Sequence, residues 1–369
     1  MAIQGYSTVN SRNLIRAAQD MLAHAEPITV LGDFGTMRQM PQNQTDTLVW
    51  RRTLPFGASR TGLSGLTGAG LELNNRYRET PQSGTLSASN IGINPSNFVL
   101  AEGATPTSNT IDFQDVSVTL QQYGLLFKFS SKVELLYEDD VPAEMVKLTG
   151  ETLAEVLELV RYGVLRAGSV VVYTGTASGR GSVNTPITLP ALRKAARTLE
   201  ANRAKRVTSR VAPGVNFGTR AVQPSYLVFM HTDAVSDARN LPGFTRVEEY
   251  GNFKPVHDHE IGACEDFRFV KSPLLVPFLA QGSATLNGCL AANNTNVDVY
   301  PFLVIGEDCW GQVALKGYNA VKPTVLRSTD INHANPLGQF GYVGASTWFA
   351  AVRLNESWMC RIEAGVSAL

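Results

Sequence analysis

The sequence predicts an α+β protein built on one long helix, and three observations carry that prediction. Residues 138–168, EDDVPAEMVKLTGETLAEVLELVRYGVLRAG, keep a helical period without a break. Residues 47–54 and 115–129 alternate apolar and polar side chains, the period of a strand. From about residue 170 to about 320, helical and strand patterns follow one another, as in a compact α/β lobe.

The long helix has clear ends. Asp139 or Asp140 suits its N-cap, Pro142 its first turn, and Gly168 its stop, with Arg166 as a cation at the negative end of the helix dipole. Met145, Leu148, Leu153, Val156, Leu157, Val160, Val164 and Leu165 recur at spacings that predict a buried stripe. Glu144, Lys147, Glu151, Glu155, Glu158 and Arg161 are expected mostly on the polar side. At 1.5 Å per residue such a helix runs roughly 40 Å, enough to act as a spine.

Before the spine, residues 11–25 predict a short helix on an N-terminal arm, with Ser11 as cap and Leu14, Ile15, Ala18, Met21 and Leu22 on one stripe. Residues 26–46 carry glycine and proline breaks and a run of amides, so an extended connection is expected. In the next strand Leu48, Trp50, Arg52 and Leu54 alternate against Thr47, Val49, Arg51 and Thr53. In its answering strand Val116, Val118 and Leu120 alternate against Ser117, Thr119 and Gln121, with Gly124 as the expected bend. Together they predict a hairpin whose tip is the glycine-rich insert at about 57–99. A two-stranded ribbon is marginal alone, so it must fold back on a core or lie on another chain, and the latter fits its low charge.

After the spine, residues 170–175 predict a strand, and Thr188 and Pro190 open a helix over 189–206 with a basic tail. SYLVFMH at 225–231 reads as a buried strand, followed by a short helix TDAVSDARN that stops at Leu241, Pro242 and Gly243. FRFVKSP and VDVYPFLVIG are further strands. TWFAAVRL and SWMCRIEA are expected to close the chain as a hairpin around Asn355 and Glu356.

Composition narrows the function. In 369 residues, 32 Lys and Arg balance 32 Asp and Glu, and the charged fraction is 17%, against about 25% for ordinary soluble chains. So neutral a surface suits extensive contact with other protein and speaks against a dedicated nucleic-acid binder, which needs a clustered basic footprint. Cys264, Cys289, Cys309 and Cys360 lie far apart without a CxxC pair, which predicts reduced thiols and a cytoplasmic site of synthesis. The N-terminus lacks the apolar run of an export signal, and no segment approaches about 18 consecutive apolar residues, so no membrane span is expected.

Candidate chemistry is sparse. His257 and His259 share a strand face and suit a metal, but no third ligand is placed, and Lys254, Pro255 and Gly262 put them in an exposed turn. A metal-dependent enzyme using this pair would also lack a base. His24, His231 and His333 stand apart from any nucleophile arrangement. The glycine clusters at 65–70 and 175–181 lack the GK[ST] ending of a phosphate loop and the full GxGxxG pattern, so they read as turns. On the helix 189–206, Arg193, Lys194, Arg197, Arg203, Lys205 and Arg206 read first as a solvated face and second as a contact for an acidic partner or nucleic acid. No catalytic, cofactor-binding or metal residue is therefore expected.

Four separated stretches, LAEGATP at 100–106, VTLQQYGLLFKFSSKVELL at 118–136, ETLAEVLELVRYGVLRAG at 151–168 and NPLGQFGYVGASTWFAAVRLNESWMCRIE at 335–363, occur in an order that resembles the major capsid proteins of tailed double-stranded DNA bacteriophages, in particular the podovirus-type family. The similarity runs from about Gly32 to the end. The resemblance implies the Johnson fold: an N-terminal arm over 1–44, an extended loop over 45–133, a peripheral domain from 134–169 and 321–369, and an axial domain over 170–320. It also implies a shell protein without enzymatic activity, whose hexamers and pentamers close an icosahedral virion around DNA. The packaged DNA would be touched without sequence specificity. Since the arm starts almost at Met1, a separate scaffolding protein is expected, with a portal and a possible decoration protein as further partners, assembled in the host bacterial cytoplasm. An encapsulin-like compartment shell is the alternative.

Overall fold

The computed structural model describes residues 30–41, 45–53, 99–103, 105, 113–139, 141–207, 224–250, 254–316, 322–330 and 335–368. The expected arm helix at 11–25 and nearly all of the 57–99 insert lie outside them. In chain order the elements are β1 (Thr36–Met40), β2 (Thr47–Thr53), β3 (Phe113–Thr119), β4 (Gln121–Ser130), α1 (Ser131–Leu136), α2 (Val141–Arg166), β5 (Val171–Tyr173), α3 (Leu189–Ala201), β6 (Tyr226–Met230), α4 (Val235–Arg239), β7 (Phe244–Arg246), β8 (Glu260–Cys264), β9 (Phe267–Lys271), β10 (Tyr300–Ile305), β11 (Trp310–Leu315), β12 (Lys322–Leu326), β13 (Phe340–Arg353) and β14 (Met359–Ala364). Strands and helices thus mix as the sequence predicts. None of the described helices is long and apolar enough to cross a membrane.

The strands form a five-stranded sheet ordered β1-β11-β13-β12 with β4 also on β13, a seven-stranded sheet ordered β5-β14-β10-β6-β9-β8-β7, and the two-stranded ribbon β2-β3. By contacts the chain divides into two compact units. One comprises Met1–Leu48, Val118–Arg161 and Gln312–Ala351; the other comprises Val49–Ser117, Tyr162–Gly311 and Val352–Leu369.

The second unit owns the seven-stranded sheet. β6 and β10 are buried along their whole length, which explains why both read as unbroken apolar runs. β6 pairs with β9 in parallel and with β10 antiparallel, and β14 joins β10 antiparallel and β5 in parallel. α3 covers this sheet with Ala191, Leu192, Ala195 and Leu199, which pack with Val228, Phe269, Phe302 and Ile362. The helix ends at Ala201, short of the basic tail: Asn202 leaves helical geometry and Arg203 takes a positive φ of 54°.

The first unit packs around β4 and β13, which pair antiparallel over ten residues from Phe340 opposite Ser130 to Phe349 opposite Gln121. Phe129, Val133, Val141, Met145 and Val343 form its core. A Cβ at Gly341 would lie 2.3 Å from Phe129 Cζ, so only glycine lets this ring reach the sheet.

Three local expectations change. The strand after the insert breaks at Leu120 and not at Gly124: the buried Leu120 donates its N–H to Asp46 O, closing the ribbon, and β4 then leaves for β13. The terminal strands do not form a hairpin, because β13 and β14 belong to different sheets. Between them the chain is held by the N–H groups of Leu354 and Asn355 on Cys309 O and by Gly306 N–H on Trp358 O.

The third change concerns the spine. Its bounds are those the sequence predicts, but its buried positions include Val141, Met145, Thr149, Leu153, Glu158, Tyr162 and Leu165. Leu148 and Leu159 are 43% and 41% exposed, while Glu158, expected on the polar side, is 1% exposed. Its carboxylate accepts the backbone N–H groups of Val30 at 2.7 Å, of Leu31, and of Gly32 at 3.2 Å. Arg161 donates to it at 3.2 Å and to Gln312 Oε1 at 3.0 Å, while Gln312 Nε2 donates to Gly32 O at 2.8 Å. Burial pulls the Arg161 pKa below its ordinary value, and the Glu158 charge opposes that pull. Glu158→Ala strands the Arg161 charge and frees three N–H groups in the interior, so it is expected to cost about 3–5 kcal/mol. Chemical denaturation of the subunit measures this, and a loss below about 1 kcal/mol would show that water replaces the carboxylate at no cost.

Candidate functional site

The ribbon and the charged clusters are the features of the chain that bear on assembly. β2 and β3 alternate as the sequence predicts. Trp50, Val116 and Leu120 are buried, while Val49, Arg51, Phe113 and Asp115 face outward. Trp50 lies against Gly311, where an added Cβ would come within 3.0 Å of the indole, and that Cβ would be 3.2 Å from Leu354. The ribbon is thus anchored to its own chain through Trp50. On the outer face Arg51 grips Asp115 through Nε at 2.8 Å and Nη2 at 3.1 Å and lies 5.7 Å from the centre of the Phe113 ring. This exposed bidentate pair fixes the cross-strand register more than it stabilises the fold.

The His257 and His259 rings lie 5.2 Å apart, and His257 Nδ1 accepts the His259 backbone N–H at 3.0 Å, so one ring nitrogen is already engaged. Neighbouring Glu260 turns inward and belongs to another cluster: Tyr250 Oη donates to it at 2.6 Å, Val256 N–H at 2.5 Å and Arg268 at 3.3 Å. Burial raises its pKa above the ordinary carboxylate value. Among the described residues no three His, Cys, Asp or Glu side chains gather as metal ligands. The cluster at Gly65–Gly70 lies outside the described residues. The one at Gly175–Gly181 runs into a short 3-10 turn whose Arg180 side chain is spent on Glu363.

On α3 and its tail, Arg193 pairs with Glu265 and Arg206 with both Glu200 and Asp266, while Lys205 stands 5.9 Å over the Trp358 ring. Lys194 and Arg197 are exposed. Much of this basic face is therefore neutralised within the chain.

The cluster that sequence reasoning missed lies at the C-terminal end of α2. Glu363 is fully buried and accepts Arg180 through two bonds of 2.8 Å and Arg361 Nε at 2.8 Å. Arg361 also donates to the carbonyls of Arg166 and Gly168, so it closes the helix end. Arg166 and Arg180 each lie 3.5 Å from the Phe278 ring centre. Tyr162 donates to Val276 O at 2.6 Å, and burial pushes its phenol up to about 12. The available signal was the i, i+2 spacing of Arg361 and Glu363 on a strand, which puts opposite charges on one face.

All four cysteines are free and buried. Burial raises every thiol pKa, to about 12 for Cys309 and Cys360. A thiol that ionises near its ordinary 9.0 when unfolded and near 12 when folded favours the unfolded chain at high pH. Stability from these groups is therefore flat below pH 9 and falls above it. A maleimide at neutral pH is expected to label none of the four in the folded chain and all four in urea; native labelling of Cys309 would contradict this.

No family model matches the chain. It is 23% identical over 279 residues to the major capsid protein of Pseudomonas phage KPP21, covering 69% of each. Among solved structures it is similar to the capsid of cyanophage P-SCSP1u, with TM-score 0.55 and 13% identity over 96% of this chain and 94% of that one. The capsid of Ralstonia phage GP4 gives TM-score 0.57 and 9% identity over 90% and 87%. The asymmetric unit of the cyanophage Pam1 capsid gives TM-score 0.51 and 12% identity over 98% and 96%. The chain has the tailed-phage major capsid fold, the HK97-like or Johnson fold, with α2 as its spine helix.

Proposed function

We propose that this chain is the major capsid protein of a tailed phage, a structural and non-enzymatic subunit that self-assembles into the icosahedral shell of the virion. The observation that carries the reading is agreement between two kinds of likeness: a capsid fold over 96% of the chain, and sequence similarity to a phage major capsid protein over 69% of it. The neutral composition and the exposed leucines fit a surface made to meet copies of itself.

Within that reading the subunits form hexamers and pentamers of a podovirus-type shell around double-stranded DNA. Residues 45–133 act as the extended loop, 134–169 and 321–369 as the peripheral domain, and 170–320 as the axial domain, to whose sheet the terminal strand β14 is added. The order of the four matching sequence stretches supports this. A separate scaffolding protein, a portal and a decoration protein are the further partners. Contact with DNA is diffuse, because net charge is zero and the α3 arginines are largely paired within the chain.

Electron microscopy of the purified protein is expected to show closed shells or rings. A monodisperse monomer under all assembly conditions would overturn the proposal, and shells filled with enzyme cargo would favour an encapsulin-like compartment. Replacing residues 58–98 by a short glycine-containing turn is expected to leave the circular dichroism of the subunit unchanged while preventing shell closure. Normal closure would remove the loop from the assembly machinery.

A further inference from the structure

Two surfaces of the chain, one in each unit, carry exposed aliphatic side chains beside charges without a partner of opposite sign among the described residues. The first lies on α2. Leu148, Glu151, Glu155 and Leu159 follow one another at spacings of three and four, so they form one line along the helix. Leu148 is 43% and Leu159 41% exposed. The side chains of Glu151 and Glu155 take part in no hydrogen bond or ion pair among the described residues.

The second surface is the arginine cluster around Phe278. Arg180 and Arg361 share the single carboxylate of Glu363, and Arg361 is further committed to the end of α2. The Arg166 guanidinium pairs with no carboxylate among the described residues and stacks on Phe278. Three guanidinium groups against one carboxylate leave the patch cationic. Val276 and Leu279 beside it are 44% and 57% exposed.

Resting on the capsid reading, we propose that the Leu148–Glu151–Glu155–Leu159 line of one copy docks on the Arg166–Phe278 patch of a second copy. Glu151 and Glu155 complete the charge of Arg166, and Leu148 and Leu159 cover Val276 and Leu279. Each surface mixes aliphatic area with charge, and the signs are opposite. Arginine stacked on an aromatic ring with aliphatic neighbours is the composition of a protein interface centre. A phosphate-tracking surface is built from exposed lysine and arginine without such apolar company. Because every copy carries both surfaces and they differ, the contact is heterologous and repeats head to tail, the arrangement that builds rings.

The test is charge exchange in the full chain, read by sedimentation velocity and negative-stain microscopy, with circular dichroism as the folding control. Arg166→Glu and the double variant Glu151→Arg, Glu155→Arg are each expected to lower the assembled fraction by about tenfold or more while the subunit stays folded. Combining all three substitutions in one chain is expected to restore assembly, and mixing the two variants is expected to restore even-membered rings, in which unlike copies alternate. Restoration by mixing can arise only from contacts between copies. If Arg166→Glu does not fold, Arg166→Gln serves in its place, with a smaller loss expected.

Unchanged assembly of the single variants, or failure of the triple variant to recover, would overturn the contact. Normal assembly together with weakened retention of duplex DNA by Arg166→Glu would also overturn it and assign the patch to nucleic acid. Variants that form shells as readily as wild type remove this contact alone, whereas a wild type that never assembles removes the capsid reading and the contact with it.

Discussion

The Glu158 carboxylate brings together three backbone N–H groups at residues 30–32, a guanidinium one helical turn away, and through it the Gln312 amide. These groups come from the three separate chain segments that make up the first unit. A buried carboxylate is costly to desolvate, and only a full set of donors makes its position tolerable. That requirement ties the position of residues 30–32 to Glu158 and Arg161, since moving them away would leave the carboxylate short of donors in the interior. Arg161 also lies 4.7 Å over the Phe349 ring, so the ion pair reaches the strand that organises the sheet. The short turn at Leu31–Asp33 would otherwise present its first N–H groups unpaired; converging on one anion, they act as a backbone nest.

The second unit uses the same device twice. Glu363 on β14 binds Arg361 of the same strand and Arg180 of the turn at Arg180–Ser182, and Glu260 on β8 binds Arg268 on the adjacent β9 as well as Tyr250. Hydrophobic residues of similar volume would serve stability as well or better. What paired charges add is a penalty for every wrong register, since a slip of one residue would leave an arginine or a glutamate alone in the interior. In a seven-stranded sheet assembled from strands distant in sequence, such as β5, β10 and β14, that penalty selects one pairing among several with similar apolar patterns.

Much of this architecture was legible because it rests on local periods. The bounds of α2, the alternation of β2 and β3, and the apolar runs of β6 and β10 follow from side-chain spacing alone. What escaped depends on partners far along the chain. Glu158 sits at a spacing that suits either helix face, and only the N–H groups of residues 30–32 decide for the buried one. The tryptophan-rich terminal segments looked like a hairpin because each is a good strand, yet strand quality says nothing about which sheet a strand joins. Leu120 ends the ribbon with a hydrogen bond to Asp46, a partner that no reading of a single segment contains. The Phe278 cluster was missed for the same reason, since Arg166, Arg180, Phe278 and Glu363 come from four separate segments.

A subunit of a closed shell must fold alone, remain soluble, and still bind its copies at every edge. The two demands conflict if the binding surfaces are wholly apolar, because such faces aggregate without regard to geometry. On the capsid reading, the described surface eases the conflict by distributing exposed leucines over several elements. Leu126, Leu135, Leu136, Leu148, Leu159, Leu279 and Leu337 are each exposed, and several stand beside charged or polar neighbours. Individual contacts built this way are weak, so a misplaced subunit can leave. Closure then multiplies many weak contacts around each copy, and the assembled state gains a stability that no pair of subunits has. The buried ion pairs of Glu158, Glu260 and Glu363 fix the fold of each unit, while exposed pairs such as Arg51–Asp115 add little to its stability and leave the surface free to be shaped by its leucines.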